Sequence, residues 1–106
     1  MSDSSLRILL ATCSAEQADP IAETMVSERL VACVNAIPGA VSHYWWEGRV
    51  ERDQEVVLLM ETSVAHVPRA VERLRTLHDY DVPKIIVVDP ESVNDDYAAW
   101  LHACLG

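Results

Sequence analysis

Residues 32–62 read ACVNAIPGAVSHYWWEGRVERDQEVVLLMET, and how this stretch folds decides the architecture. Ala32–Trp46 has a strand pattern interrupted by the bend Pro38-Gly39. Glu47-Gly48-Arg49 supplies a turn, and Val50–Thr62 returns as the second arm of a hairpin with Val56–Met60 as its most apolar part. Arms of about 14 residues at ~3.3 Å each exceed ~40 Å. A 100-residue domain has a radius of gyration of only ~13 Å, so the tip must project beyond its own core. Tyr44-Trp45-Trp46 sits at that tip, three of the six aromatic residues in a chain without Phe.

Neighbouring residues on a strand face opposite sides, so Trp45 and Trp46 cannot both enter one core. Large aromatic side chains bury ~150–250 Å² each and anchor interfaces. The tip is therefore expected to be a subunit contact formed by Tyr44, Trp45 and Trp46. Two other readings stay open: a site that stacks a ligand, and a half-exposed tip with one Trp in the core.

The flanks complete the pattern. Leu6–Cys13 is a short apolar run that reads as a strand buried on both faces. Two helix starts follow, Ser14-Ala15-Glu16-Gln17 and Asp19-Pro20, ahead of Ile21, Ala22, Met25, Val26 and Leu30 at helical spacing. Ser63 is placed as an N-cap with Pro68 in the first turn of a second helix, whose apolar face is Val67, Ala70, Val71, Leu74 and Leu77. His78–Pro83 is a loop, because Pro83 drives Val82 out of helical space. Ile85–Val88 is a further buried strand, and Asn94-Asp95 caps a final helix carrying Tyr97, Trp100, Leu101 and Cys104. The order is β-α-β-β-α-β plus a short C-terminal helix. This is the ferredoxin-like α+β arrangement, with both internal helices on one face of the sheet.

Composition bounds the function. The 106 residues make one domain, spanning 1–106, with 50 % apolar and 24 % charged residues. A formal charge of −9 argues against nucleic acid and suits cations or plain solubility. No run approaches the ~20 apolar residues that span a bilayer, so no membrane partner is expected. The N-terminus carries Asp3 where a signal peptide needs a basic residue, which places the protein in the cytoplasm. Cys13, Cys33 and Cys104 lack zinc-ligand spacing and read as free thiols. No Ser/His/Asp order, phosphate loop or HExxH helix points to an enzyme.

Several motifs together resemble the CutA family: Arg29–Asn35 (RLVACVN), Ile37-Pro38-Gly39, Tyr44–Gly48 (YWWEG), Glu55-Val56, His78-x-Tyr80-x-Val82-Pro83 and Tyr97-x-x-Trp100. The resemblance covers essentially the whole chain. It implies a ferredoxin-like fold similar to the PII signalling proteins and a homotrimer built by sheet-to-sheet contact. It also implies a part in tolerance of copper or another divalent cation, with no established reaction and no cofactor needed for folding. The rivals are a PII-like sensor of a small metabolite at subunit clefts and a structural trimer that acts as an interaction scaffold.

The resemblance directs attention to His78, which falls on the histidine of the family's His-Pro-Tyr loop. Asp79 stands where that loop has Pro and adds an oxygen donor, and Cys13 lies at the end of the first strand. Imidazole, carboxylate and thiolate suit copper or a similar ion. For His78 the alternative is a helix-terminal His facing the last carbonyls, and for Cys13 a buried inert thiol. Lys84 replaces an acidic residue usual in the family and opposes a cation nearby. Glu51, Asp53 and Glu55 alternate along one strand and read as a solvated face. His43, His66 and His102 read as surface residues.

Overall fold

The structure is a computed structural model that describes residues 5–106. Asp3, on which the signal-peptide argument leans, lies outside the described residues. Four strands, β1 (Leu6–Cys13), β2 (Cys33–Trp46), β3 (Arg49–Ser63) and β4 (Ile85–Val88), form one antiparallel sheet in the order β2-β3-β1-β4. Helices α1 (Ala15–Ser27) and α2 (Val67–Leu77) complete the β-α-β-β-α-β order expected from the sequence, and α3 (Asp95–Leu105) follows β4.

β1, apolar except for Arg7 and Thr12, is a central strand paired with β3 on one edge and β4 on the other. Its alternate residues Leu9, Ala11 and Cys13 meet Val56, Leu58 and Met60 of β3 and the buried stripes of α1 and α2 in the main core. The other parity of β1 faces away from these helices. There α3 covers one end, with Leu6, Leu101 and Leu105 packed together against Ile8 and Tyr97.

Three local features depart from the sequence reading. α1 starts at Ser14 and runs through Pro20, so the second helix start is not used. The helix stops at Ser27, short of Leu30. Arg29 takes φ 57°, and the amides of Leu30 and Val31 both return to the Met25 carbonyl. Ser63 precedes a 3-10 turn (Val64–His66) before α2, and its hydroxyl bonds His66 Nδ1 at 2.7 Å instead of capping backbone. His66 is thus held, not free on the surface, and His102 is likewise bonded to Ser5 Oγ at 2.9 Å.

The hairpin dominates the shape. β2 and β3 have 14 and 15 residues, and the molecule measures 45 × 26 × 23 Å. The pairing shifts between Ile37 and Ala40, so Pro38 and Gly39 (φ 87°) form a bulge. At the tip, Trp46 pairs with Arg49 across a two-residue loop in which Glu47 (φ 52°) and Gly48 (φ 79°) both have positive φ. That signature belongs to the type I′ turn, whose twist matches a hairpin. Left-handed backbone costs a residue with a Cβ ~1–2 kcal/mol, least for Asn. Gly48→Ala should therefore lower unfolding stability by about that amount, while Glu47→Asn should raise it, both read by denaturant unfolding.

Candidate functional site

The loop that leaves α2 is pinned to the sheet by His78. Its ring is buried, with Nε2 at 2.7 Å from the Thr12 carbonyl and Nδ1 at 3.2 Å from the Tyr80 amide. A carbonyl only accepts and an amide N–H only donates, so Nε2 carries the proton and Nδ1 offers its lone pair. The His78 and Tyr80 rings sit 4.4 Å apart, and the Asp79 carboxylate stands 3.9 Å from Nδ1 in solvent. Gln17 of α1 braces the same loop. Its side chain accepts from the Asp79 amide at 3.1 Å and donates to the Leu77 carbonyl at 3.2 Å. The sequence placed Gln17 only in a helix start, because this contact joins residues far apart in the chain.

Cys13 lies beside the same loop but on the inner side of β1, fully buried in the main core. Burial pushes its thiol up, and the nearby Glu55 and Asp79 charges add to that. The structure thus brings His78 against Thr12, next to Cys13 in sequence, and Asp79 within electrostatic range of Cys13. Among the described residues no three His, Cys, Asp or Glu side chains gather at metal-ligand distance.

Beside this loop opens a cleft of about 780 Å³. Its walls include Tyr44 and Trp46 from the tip, Asp53 and Glu55 from β3, and Tyr80 and Val82 from the loop. The row Glu51, Asp53, Glu55 is not the uniform solvated face that alternation suggested. Glu55 is only 8 % exposed and accepts from the Tyr80 hydroxyl at 2.9 Å, and Asp53 accepts from the Tyr44 hydroxyl. Tyr97 makes a third such bond, to Glu61 at 2.6 Å. All three tyrosines of the chain therefore donate to carboxylates on β3. The tip aromatics alternate in register, Tyr44 opposite Glu51, Trp45 opposite Val50 and Trp46 opposite Arg49, and Trp45 is 74 % exposed.

Each tyrosine is harder to ionise than usual. A phenolate beside a carboxylate is repelled and loses the hydrogen bond, so the Asp53 bond pushes Tyr44 up to about 12 from 10.0. Tyr80 and Tyr97 rise chiefly by burial and then through Glu55 and Glu61. A pKa raised in the fold contributes stability that is complete below the unfolded value and is lost as pH climbs through the folded one. Phenolate absorbance of the native protein should thus lag that of the urea-unfolded chain. Stability should fall as pH rises from 10 toward 12, the Tyr44 window. Asp53→Asn should let one tyrosine titrate earlier.

Comparison with known proteins agrees with this geometry. The family model described as CutA1 divalent ion tolerance protein matches residues 7–104. The divalent-cation tolerance protein CutA of Thermus thermophilus is 41 % identical over 99 residues, 93 % of this chain and 96 % of that one. That of Pyrococcus horikoshii is 42 % identical over 86 residues, 81 % of this chain and 83 % of the other. The crystal structure of CutA from Xylella fastidiosa superimposes with a TM-score of 0.93 at 38 % identity, covering 97 % of this chain and all (100 %) of that one. These relatives are named for tolerance of divalent cations and not for a reaction. With the ferredoxin-like sheet, the long hairpin and the His78 loop in place, the chain belongs to the CutA1 divalent ion tolerance family.

Proposed function

We propose that this protein works as a homotrimer that binds divalent cations, copper foremost, as a non-enzymatic module of metal tolerance. The observation that carries the metal reading is the His78–Asp79 pair. An Nδ1 lone pair and an exposed carboxylate stand 3.9 Å apart on a loop braced from β1, α1 and β3. An incoming cation would take the Tyr80 amide's place at Nδ1, while the Thr12 carbonyl, bonded to the other ring nitrogen, holds the ring in orientation. Cys13 is the third candidate, in the core beside this loop; with its thiol pushed up by burial, it favours a thiophilic ion such as Cu(I), which displaces the thiol proton. One chain supplies too few donors at bonding distance, so water or a second copy completes the coordination. Lys84 lines the cleft beside this loop, and its charge opposes a cation nearby.

The trimer reading rests on apolar surface that one chain leaves uncovered. Trp45, Val50, Ile37, Ile86 and Val88 are all exposed, and both outer strands of the sheet have a free edge. Tyr44, Trp45 and Trp46 are assigned to the subunit contact. The cytoplasm is proposed as its compartment, since three unpaired cysteines suit reducing surroundings. One structural relative, from Archaeoglobus fulgidus, is named a periplasmic protein, so cell fractionation decides this point.

Light scattering should give a trimer mass at micromolar concentration, and a stable monomer would overturn that assignment. Trp45→Ala and Trp46→Ala should each lower the thermal dissociation midpoint more than the helix-surface change Glu72→Ala. For the metal, Asp79→Asn and His78→Ala should each weaken copper binding about tenfold or more in calorimetric titration, about 1.4 kcal/mol. His78→Ala also frees the Thr12 carbonyl and so costs stability, which makes Asp79→Asn the cleaner variant. Cys13→Ser should affect Cu(I) and leave Cu(II) binding unchanged.

A further inference from the structure

The cleft between the hairpin tip and the His78 loop holds a buried acid without a cationic partner. Glu55 is 8 % exposed, yet it makes no ion pair, and its one hydrogen bond among the described residues is the Tyr80 hydroxyl on Oε2. No buried side-chain oxygen among the described residues is unsatisfied, so Oε1 reaches the cleft that Glu55 lines. That oxygen is left for a donor or a positive group that enters the cleft. Lys84 lines the same cleft but does not come within ion-pair distance of it.

The walls say which cation fits. Tyr44, Trp45, Trp46 and Tyr80 line the cleft, Val82 adds an apolar patch, and Asp53 places a second carboxylate along β3, held by Tyr44. About 780 Å³ is the size of a small-molecule site and far more than a bare metal ion occupies. Aromatic faces around a carboxylate are instead the chemistry that holds an ammonium group with an apolar body, by cation–π attraction and one ion pair.

We propose that this cleft binds an organic ammonium compound, with Glu55 as its ion-pair partner and Tyr44, Trp46 and Tyr80 as its aromatic walls. The site is distinct from the cation at His78 and Asp79. It stands on the cleft of one chain, and trimerisation encloses it further because the tip aromatics are shared with the subunit contact.

The test uses benzyltrimethylammonium and its neutral counterpart benzyl alcohol, titrated calorimetrically into the assembled protein. The ammonium should bind with a dissociation constant of about 1 mM or tighter and at least tenfold better than the alcohol. Glu55→Gln keeps the acceptor for Tyr80 and should remove that preference, with light scattering confirming an unchanged assembly. Where Glu55→Gln fails to fold, Asp53→Asn serves as the second variant and should weaken the ammonium severalfold. Equal binding of the two probes, no binding at millimolar concentration, or unchanged affinity in the folded variants overturns the proposal. Asp79→Asn should leave ammonium binding intact while copper binding falls, so the two sites succeed or fail separately.

Discussion

The two-helix layer is shorter than the sheet it covers, and the rest of the structure follows from that mismatch. α1 and α2 have 13 and 11 residues, so at ~1.5 Å per residue neither exceeds ~20 Å, while the molecule is 45 Å long. Helices therefore shield only the base of the hairpin, where Val56, Leu58 and Met60 are buried. Beyond residue 55 toward the tip, β2 and β3 have no helix above them, and their apolar residues must meet solvent, a ligand or another chain. The exposed Trp45 and the aromatic cleft are two outcomes of the same uncovered length.

The charged side chains of that region are organised, not merely solvated. Three tyrosine hydroxyls are spent on three β3 carboxylates, which fixes each acid in one rotamer and keeps phenol protons in place over the whole neutral range. The loop at 78–84 is organised from the other side. His78 bridges from Thr12 to the Tyr80 amide, and Tyr80 continues to Glu55. Two sets of hydrogen bonds that meet at Tyr80, one at its amide and one at its hydroxyl, thus tie β1, the loop and β3 together.

Periodicity carried much of the architecture into view before any coordinates. β1 and β4 were read with the bounds the structure gives, though β4 is an edge strand exposed over Ile86–Val88 and not the buried strand expected, and the hairpin, its bulge and its turn lay where Pro38-Gly39 and Glu47-Gly48 put them. These features are local, set by alternation and by residues that tolerate left-handed backbone. What stayed hidden is non-local. The end of α1 is decided by tertiary fit, since Leu30 remains buried after the helix has closed at Ser27. Glu55 looked like its neighbours Glu51 and Asp53, because its burial comes from Tyr80, 25 residues away. His78 was singled out on resemblance, yet its two hydrogen bonds and the brace from Gln17 have no sequence signature.

The bulge at Pro38-Gly39 sets a parity. Ile37 pairs with Val57 and Ala40 with Glu55, so two residues of β2 are accommodated against one of β3. From there to the tip, even-numbered residues of β2 share the face that odd-numbered ones hold nearer the base. Tyr44 shares the face of Asp53 because of that offset. Removing one residue there would rotate every distal side chain of β2 to the opposite side, exchanging the places of Trp45 and Trp46. A single-codon change in length at the bulge would thus turn over every distal side chain of β2 relative to β3, with the tip's own sequence untouched.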